Sequence, residues 1–591
     1  MSVQTLNKKH WALMGVAAFV FLIAGGVFFG GPASAIRQFG LVLNFWRSMQ
    51  NPPGTLTVEV RDPAVLMRAA VPVADDGAWP SYNRNLASQR YAPLDQISTE
   101  TVGKLNVQCT YDTGLHENFE GGPLVVGGAL IDTTEFDIFS IDPSTCHENW
   151  RTHEAFKAPP FTSANRGAAF LDGRLFRGTL DGRILAYDAK TGKRLWATAI
   201  ADPRAGELVD VAPIAWNGLV FAGIAMSDIK GIKGRVYALA ADTGRIIWET
   251  YTVPRSAGDI TLGPEGSMPD TASETWQNAP EVTVGGGGLW TSFTLDTATG
   301  RLYIPVGNAG PAFMTEVRKG ANLFTNTILI LDAKTGDYIE HYDAWPGDWH
   351  DWDVSNTPSI VESRGGKRLV AFAPKNGYLY AFDIAGGQRL YKTPVTRIEN
   401  NETPFSSENA VHFCPGTSGG AEWNGVAYDP DANLVFTGEV DWCTTVKLQP
   451  VAQLKAIAKG TFWSGNLNLN PLDLYGDFDP HSDWAGWLYA TDADTGVFKW
   501  RAKSNYPILG GITPTAGGLV FFGDMGGNFY ALDVRNGARL WSKKLDGAIG
   551  GGVVTYLADG QQKVAVAAGM TSLAWPAEIT TAKIVVMGLA R

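Results

Sequence analysis

A short pattern of alternating apolar and polar residues recurs along most of the chain. Each copy has an apolar strand, a turn rich in Asp, Thr and Gly, and a second strand that often ends in Trp. The clearest copies are AYDAKTGKRLW from Ala186, ALAADTGRIIW from Ala238, LDAKTGDYIEHY from Leu331, ATDADTGVFKW from Ala490 and ALDVRNGARLW from Ala531. Degenerate copies begin at Ser140, Thr294, Ala381 and Ala427. Alternation of this kind predicts β-hairpins rather than helices.

The turn chemistry of these copies indicates how they associate. A Thr-Gly or Asn-Gly pair supplies the positive φ that a tight hairpin turn requires, and the Trp that follows can dock between neighbouring repeats. The copies recur at intervals of roughly 36 to 63 residues with almost no helical periodicity, which favours a β-propeller. We therefore predict an all-β fold, an eight-bladed β-propeller with tryptophan-docking repeats, over residues 78–591.

The first segment of the chain has a different character. Residues 11–31 are an uncharged apolar run that follows Lys8 and Lys9, and this length in a helix crosses a bilayer. We expect an uncleaved anchor with its amino terminus in the cytoplasm and the remaining chain outside. Ala33-Ser34-Ala35 resembles a signal-peptidase site, so the alternative is a cleaved signal peptide.

These patterns divide the chain into three parts: residues 1–36 as a membrane anchor or signal segment, residues 37–77 as a linker, and residues 78–591 as the propeller. Composition agrees with a large folded protein, because 45% of residues are hydrophobic, only 18% are charged and the net charge is -11. A basic surface for nucleic acid is therefore not expected.

Cysteine usage fits an exported protein. The four cysteines are Cys109, Cys146, Cys414 and Cys443, and none forms a CxxC or CxxCH motif. The sequence therefore indicates neither a thioredoxin-like site nor a covalently bound c-type haem. Two disulfides in an oxidising compartment are expected, and four buried free thiols are the alternative.

One loop carries an unusual concentration of functional side chains. The stretch WPGDWHDWDVSNTP, residues 345–358, contains Asp348, Asp351 and Asp353 together with His350. Carboxylates are rarely buried unless they are paired or bound to a metal. The stretch is therefore either a solvated loop or a functional site.

The repeated hairpin, the segment WPSYNRNLASQRYAPLDQI from Trp79 and the loop HDWDVSNTP resemble the quinoprotein dehydrogenases that use pyrroloquinoline quinone (PQQ). The resemblance covers roughly residues 78–591. It implies a dehydrogenase that oxidises the CH–OH group of an alcohol, polyol or sugar. Electrons would pass to ubiquinone or to a cytochrome c, because the chain has no haem motif. A non-catalytic scaffold propeller of the envelope is the alternative.

The same resemblance assigns the centre of the site. Trp290 matches the tryptophan on which the quinone lies, and Asn308 matches a ligand of a calcium ion. Asp228 stands where the family usually has a glutamate ligand, before a turn one residue longer than in the methanol dehydrogenase type. Asp353 matches the catalytic aspartate, which takes the hydroxyl proton beside calcium while the quinone accepts the hydride. The alternatives are purely structural roles: Trp290 would dock between repeats, and Asn308 and Asp228 would be turn residues. Asp348, His350 and Asp351 are expected to fix the loop or line its mouth, although a one-step misalignment would exchange Asp351 with Asp353.

Further cofactor contacts follow from the resemblance. They are polar or aromatic residues at positions that surround PQQ in the family, and Lys375 among them faces the quinone oxygens: Glu120, Arg166, Lys375, Glu422, Trp423 and Asn424. Two features depart from the methanol dehydrogenase type. The segment PPFTSANRG lacks its pair of adjacent cysteines, and Leu509 replaces a frequent tryptophan. Because of these departures, the resemblance does not identify the substrate.

Disulfides and metal identity also follow from the resemblance. Cys414 and Cys443 match a family disulfide, which leaves Cys109 and Cys146, each on an early strand, to pair with each other. Lanthanide-using members carry an extra aspartate at the position of Ser355, so calcium is expected here. The resemblance and the apolar run together imply a bacterial inner-membrane enzyme with its catalytic domain in the periplasm, or a soluble periplasmic one after cleavage.

The sequence offers little support for two unrelated kinds of enzyme. Gly416-Thr417-Ser418-Gly419-Gly420 fits the G-x-S-x-G motif of serine hydrolases, but that motif needs a strand-turn-helix elbow. The eight histidines show no HExxH spacing, so zinc catalysis is not indicated.

Overall fold

The computed structural model describes most of the chain beyond the anchor. The described residues are 77–156, 164–467 and 474–590, with the shorter stretches 40–44, 46–49, 51, 54–62, 65 and 67. The apolar run predicted to cross the membrane, residues 11–31, lies outside them. Within the described residues, no helix combines the length and apolar character needed to span a bilayer.

Strands account for most of the regular structure. Those of the first half of the chain are β1 Leu56–Val60, β2 Leu105–Asp112, β3 Phe119–Gly122, β4 Leu124–Val126, β5 Ala129–Thr133, β6 Asp137–Ile141, β7 Glu148–His153, β8 Asn165–Leu171, β9 Arg174–Gly178, β10 Arg183–Asp188, β11 Arg194–Ala199, β12 Ile214–Trp216, β13 Leu219–Gly223, β14 Arg235–Ala240, β15 Ile246–Tyr251, β16 Gln277–Asn278 and β17 Thr294–Asp296.

The second half of the chain continues in the same way. Its strands are β18 Arg301–Pro305, β19 Arg318–Lys319, β20 Thr327–Asp332, β21 Tyr338–Asp343, β22 Ser359–Glu362, β23 Arg368–Phe372, β24 Tyr378–Asp383, β25 Arg389–Pro394, β26 Val411–Phe413, β27 Ala427–Asp429, β28 Leu434–Asp441, β29 Thr444–Val446, β30 Asp477–Phe478, β31 Ala485–Asp492, β32 Phe498–Ser504, β33 Thr513–Thr515, β34 Leu519–Gly523, β35 Asn528–Asp533, β36 Arg539–Lys544, β37 Val553–Ala558, β38 Gln561–Ala568 and β39 Lys583–Leu589.

Helices are few and short in the described part of the chain. The α-helices with complete bounds are Thr271–Glu274 and Val451–Ala456, and the 3-10 turns are Val102–Lys104, Pro203–Ala205, Thr315–Val317 and His481–Asp483. Residues 40–44 and 46–48 are also helical, and we call them the rim helix. The rim helix and β1 both lie in residues 37–77, which the sequence predicted to be a linker, so part of that segment has regular structure.

The larger sheets are successive antiparallel meanders, apart from the parallel pairing of β3 with β8. Each holds four or five hydrogen-bonded strands in the order β4-β5-β6-β7, β11-β10-β9-β8-β3, β12-β13-β14-β15, β17-β18-β20-β21, β22-β23-β24-β25, β1-β32-β31-β28-β27, β33-β34-β35-β36 and β2-β39-β38-β37. The last sheet joins β2, from early in the propeller, to β39 at its end, which closes the ring. The predicted all-β propeller is therefore confirmed.

The recurring turn is held by its own side chains. In the copy at Ala186, the Oδ1 of Asp188 accepts hydrogen bonds from the backbone N of Thr191 at 2.8 Å and from the Thr191 Oγ1 at 2.7 Å. The pairs Asp142–Thr145 and Asp492–Thr495 repeat this contact. Asp and Thr therefore recur at the same spacing in these repeats because together they close the hairpin turn.

Docking of aromatic rings between neighbouring sheets is also observed, as predicted. The indole Nε1 of Trp196 donates to the carbonyl oxygen of Ala241 in the next sheet at 3.1 Å, and Trp248 contacts Ala333 in the same way. Each ring lies against the glycine of the next turn, where a side chain would collide with it. The turn glycine thus serves both the backbone conformation and the contact between sheets.

This arrangement predicts unequal effects for two glycine substitutions. Gly244 has a φ of +72°, and a Cβ added there would lie 2.6 Å from the Trp196 ring, whereas Gly218 has a φ of +77° with open space around it. Gly218→Ala should cost about 1–2 kcal/mol of unfolding free energy through backbone strain. Gly244→Ala should lose a further ~1–3 kcal/mol because the indole must move. Chemical denaturation measures both, and equal losses would contradict the docking role.

Both disulfides form as the sequence analysis paired them. Cys109 is bonded to Cys146, and Cys414 to Cys443. Cys109 lies on β2 of the closing sheet, whereas Cys146 lies in the turn between β6 and β7 of the neighbouring sheet. The first disulfide therefore links two sheets next to the closure of the ring. The alternative of four free thiols is excluded.

Candidate active site

Strand direction decides which loops meet at the functional face. In an antiparallel meander, the connection between the second and third strands lies at the same end as the connection from the fourth strand to the next sheet. Asp228, Asn308 and Lys375 come from connections of the first kind, after β13, β18 and β23. Trp290 and Asp353 come from connections of the second kind, before β17 and β22. The fold therefore gathers these residues at one end of the propeller.

A cavity of about 310 Å³ opens where these loops converge. Of the site residues predicted from the sequence, the cavity is lined by Glu120, Arg166, Asp228, Trp290, Asn308, Asp353, Lys375, Glu422 and Trp423. These residues are spread over about half of the chain, yet the structure brings them to one place. Their shared position is the strongest support for the predicted site.

An oxygen-rich cluster lies in one part of the cavity. The Oδ1 of Asp353 accepts a hydrogen bond from the backbone N of Asn308 at 2.8 Å. The Asn308 side chain donates through Nδ2 to the Oδ1 of Asp228 at 2.9 Å, and the Tyr475 hydroxyl donates to the Asp228 Oδ2 at 3.2 Å. The Asn308 Oδ1 is buried and has no hydrogen-bond partner among the described residues. Two carboxylates and one free amide oxygen thus converge in a buried position.

Lys375 connects this cluster to a further carboxylate. Its Nζ lies 2.8 Å from the Oδ2 of Asp353 and 3.3 Å from the Oδ2 of Asp351. Burial alone would lower the pKa of Lys375, but the charges of Asp351 and Asp353 outweigh burial and hold that pKa well above its usual value. Lys375 is therefore a fixed cation at the wall of the cavity.

The aspartate-rich loop divides into a structural part and a site part. Asp348 accepts hydrogen bonds from the backbone N of His350 at 3.1 Å and of Trp352 at 2.9 Å. The His350 ring stacks on Trp352 with centroids 3.7 Å apart, and both rings are buried. Asp348 and His350 therefore fix the loop, as predicted, whereas Asp351 and Asp353 face the cavity.

Two strands position the opposite wall of polar residues. Glu120 on β3 and Arg166 on β8 are neighbours because these strands pair in parallel. The Arg166 guanidinium lies 2.7 Å from the Glu120 Oε2 and 2.7 Å from the Asp210 Oδ2, and it donates to the carbonyl oxygen of Trp290 at 3.0 Å. Arg166 is thus held rigidly beside the backbone that carries Trp290.

Aromatic rings complete the lining. The guanidinium carbon of Arg166 lies 4.9 Å from the Trp290 ring centroid, and the Lys375 Nζ lies 5.4 Å from it. Trp423 packs edge-on against Trp575, with centroids 6.3 Å apart. The cavity therefore offers a flat indole face with two cations close to it.

Carboxylates outnumber cations in this lining. Among the described lining residues the acids are Glu120, Asp210, Asp228, Asp351, Asp353 and Glu422, and the bases are Arg166 and Lys375. Burial raises the pKa of Glu120 to about 7 and that of Glu422 to about 8. Burial and the charge of Asp353 raise the pKa of Asp228 to about 6. The protein alone leaves an excess of negative charge, which a bound cation would offset.

Asn424, Leu509 and Ser355, which the sequence analysis named, lie outside the lining. The Asn424 side chain donates to the carbonyl oxygens of Leu509 and Gly550, so it joins two loops behind the cavity wall. Leu509 is buried beside Trp423 and Trp575 rather than in the cavity. Ser355 is also buried, and its hydroxyl donates to the backbone carbonyl of Ala421.

Sequence reasoning missed several lining residues. Asp210 holds Arg166, Tyr475 holds Asp228, and residues 572–575 form part of the lining. Asp210 and Tyr475 lie far along the chain from their partners and in no motif. The segment SLAWPAE, with an isolated Trp575 between two strands, was the one available signal for the last group.

The donor chemistry fits a hard divalent cation. Asp228, Asn308 and Asp353 provide oxygen ligands, which calcium prefers, and the free Asn308 Oδ1 lacks any other partner among the described residues. The flat Trp290 face with Arg166 and Lys375 near it suits a planar aromatic tricarboxylate such as PQQ. The residues present therefore fit both groups.

The hydrolase alternative is wrong. Residues 416–420 lie in the connection between β26 and β27, so no helix follows them as a nucleophile elbow requires. Ser418 does line the cavity, but none of the described lining residues is a histidine. The segment therefore contributes to the wall and not to a catalytic triad.

Comparisons with known proteins agree with this geometry. Residues 79–399 match the family described as glucose/ethanol/alcohol dehydrogenase, beta-propeller domain, and residues 485–584 match the outer membrane protein assembly factor BamB. The quinohemoprotein alcohol dehydrogenase ADH-IIG of Pseudomonas putida is 32% identical over 87% of this chain and 76% of its own length.

Two further similarities cover the same span. The lanthanide-dependent methanol dehydrogenase of Methylacidiphilum fumariolicum is 29% identical over 84% of this chain and 85% of its own length. The structure of ADHIIG from Pseudomonas putida HK5 superposes with a TM-score of 0.79 at 28% identity, over 88% of this chain and 83% of that one. The chain therefore belongs to the family of PQQ-dependent alcohol dehydrogenases.

Proposed function

We infer that this protein oxidises the CH–OH group of an alcohol with PQQ as its electron acceptor. The observation that carries the inference is the position of Asp353, whose two oxygens contact the Asn308 backbone and the Lys375 Nζ in a cavity beside the Trp290 ring. A carboxylate held in this way can accept a proton while its geometry stays fixed. Polyols and sugars are included in the proposed substrate class.

Asp353 is the proposed general base. Alcohol oxidation removes a hydroxyl proton and a hydride from one CH–OH group, and Asp353 takes the proton. When bound, PQQ supplies the two-electron acceptor and a divalent cation supplies Lewis acidity. Lys375 restrains the Asp353 carboxylate and provides positive charge at the site where negative charge develops. Burial of the loop excludes bulk water from these groups.

The remaining contacts have supporting roles. Trp290 is proposed as the aromatic floor, with Arg166 and Lys375 as the cations for the PQQ carboxylates and quinone oxygens. Glu120, Glu422 and Trp423 complete the pocket, and Asn424 supports it through its bonds to Leu509 and Gly550. Calcium is the proposed metal, bound by Asp228, Asn308 and Asp353, because each of these side chains offers an oxygen ligand.

The fold and location of the enzyme are proposed together. The eight sheets of four or five strands in the described residues support an eight-bladed propeller. The apolar run of residues 11–31 supports a helix in the bacterial inner membrane with the propeller in the periplasm. The two disulfides agree with that oxidising compartment. Ubiquinone or a cytochrome c is the proposed electron acceptor.

The proposed function is tested by reconstitution. Purified protein is mixed with PQQ and calcium, its absorbance spectrum is recorded, and dye-linked turnover is measured with a series of alcohols, polyols and aldoses. We expect a PQQ-dependent spectral change and turnover with at least one alcohol. A protein that changes no PQQ spectrum and reduces no dye would contradict the proposal.

A further inference from the structure

The rim helix lies on the loop that lines the cavity. The Asn44 Nδ2 donates to the backbone carbonyl of Ser572 at 3.1 Å and also contacts the carbonyl of Leu573. Both residues belong to the segment 572–575, which forms part of the cavity lining. The carbonyl oxygen of Arg47 lies 3.5 Å from the His481 Nδ1. The helix is therefore attached to the propeller at the functional face.

The rim helix buries two polar side chains and exposes large apolar ones. Its buried positions include Asn44 and Ser48, which are four residues apart and are 4% and 8% exposed. Its exposed positions are Trp46 at 39% and Met49, directly after the helix, at 57%. A helix that serves only to pack on a protein in water buries its apolar side. Here Asn44 and Ser48 are buried and Leu41, Val42 and Leu43 are half-buried, whereas the large apolar side chains of Trp46 and Met49 face outward.

Apolar residues of the propeller are exposed in the same region. Leu573 is 39% exposed and is one of the residues that Asn44 contacts. Ile579 is 36% exposed and follows Glu578, which lines a small cleft together with Ser48. Apolar side chains are thus exposed both on the rim helix and on the loop at the edge of the cavity to which Asn44 bonds. We call Trp46, Met49, Leu573 and Ile579 the rim surface.

The chain before the rim helix indicates what covers this surface. The uncharged apolar run ends at residue 31, and the first described residue of the rim helix is residue 40. The eight residues between them span at most about 29 Å when fully extended. Tryptophan and large aliphatic side chains are the residues that insert into the interface of a bilayer. A membrane-embedded run at this distance keeps the rim surface near lipid.

We propose that the rim surface inserts into the lipid interface and holds the mouth of the catalytic cavity against the membrane. This inference rests on the proposed membrane anchor and adds the orientation of the propeller. A quinone acceptor dissolved in the bilayer would then meet the enzyme at the cavity mouth. An enzyme attached only by a flexible tether would instead present its mouth in all directions.

Site-directed fluorescence tests this orientation. All four native cysteines are in disulfides, so a single added cysteine can be labelled selectively. The full chain is labelled at Met49→Cys, Leu573→Cys or Ile579→Cys with an environment-sensitive fluorophore and placed in phosphatidylethanolamine–phosphatidylglycerol vesicles that contain a spin-labelled quencher lipid. Val497→Cys is the matched control, because Val497 is 43% exposed and follows a hairpin turn at the opposite end of its sheet.

We expect quenching at residues 49, 573 and 579 and none at residue 497. Asn44→Ala should abolish quenching at 573 and 579 while residue 49 stays quenched, because it frees the rim helix from the loop. Quenching at 49 alone in the parent chain would overturn the orientation. Protein that does not sediment with vesicles at all would instead contradict the membrane anchor. None of these readouts depends on PQQ or turnover, so the proposed chemistry is tested separately.

Discussion

Asp353→Asn is expected to lower kcat by roughly 10²- to 10⁴-fold, the range lost when a positioned general base is removed. The amide keeps the size of the side chain and an oxygen that can accept the 2.8 Å hydrogen bond from the Asn308 backbone. It cannot accept the substrate proton. Much of the PQQ should remain bound, because Arg166, Trp290 and Lys375 are unchanged. We expect dye reduction to slow by this factor while the spectrum of bound PQQ is retained.

Asp351→Asn is the matched control for this variant. Asp351 lies two residues away, faces the same cavity and also contacts Lys375, but at 3.3 Å and without the Asn308 contact. Its removal should therefore reduce kcat much less than the loss of Asp353. If the Asp351 variant were inactive and the Asp353 variant active, Asp351 and not Asp353 would be the general base.

The propeller could be predicted from the sequence because its determinants are local and repeated. Asp188 and Thr191 close a turn within four residues, and the glycine that follows them admits a tryptophan from the neighbouring sheet. Such contacts leave a pattern that recurs with every repeat. The closing contact between β2 and β39 leaves none, because its partners are separated by almost the whole propeller.

The early part of the chain was less predictable for the same reason. Residues 37–77 read as a linker, yet β1 pairs along its length with β32, and the rim helix bonds to the segment 572–575. Both contacts join residues that are more than four hundred positions apart. No local periodicity specifies such pairing, and only the folded propeller presents the surface on which these elements lie.

The site could be predicted where family motifs name a residue and not where geometry alone decides. Asp353, Asn308 and Trp290 lie in recognisable segments, and all three line the cavity. Asn424 lies in an equally recognisable segment, but its side chain turns away to bond two backbone carbonyls. A motif identifies the loop or strand that carries a residue. The direction of the side chain depends on neighbours from other sheets.

Calcium addition is expected to restore activity to protein that has been stripped of metal with a chelator and supplied with PQQ. Asp228 and Asp353 contribute two carboxylates, and Asn308 contributes an amide oxygen with no other partner among the described residues. Such a set suits a divalent cation that accepts six to eight oxygen ligands. At about a hundredfold excess over its Kd, calcium should also raise the unfolding free energy by ~2.7 kcal/mol.

Magnesium and lanthanum are titrated in parallel to identify the metal. Magnesium should restore less activity, because it requires near-ideal octahedral geometry and releases its waters reluctantly. Lanthanum should also restore less, because the position that would carry an extra carboxylate is Ser355, which is buried and donates its hydroxyl to the Ala421 carbonyl. Two protein carboxylates therefore face the ion, fewer than a trivalent cation favours. Activity that returns with lanthanum and not with calcium would show that the charge of this donor set does not determine the metal.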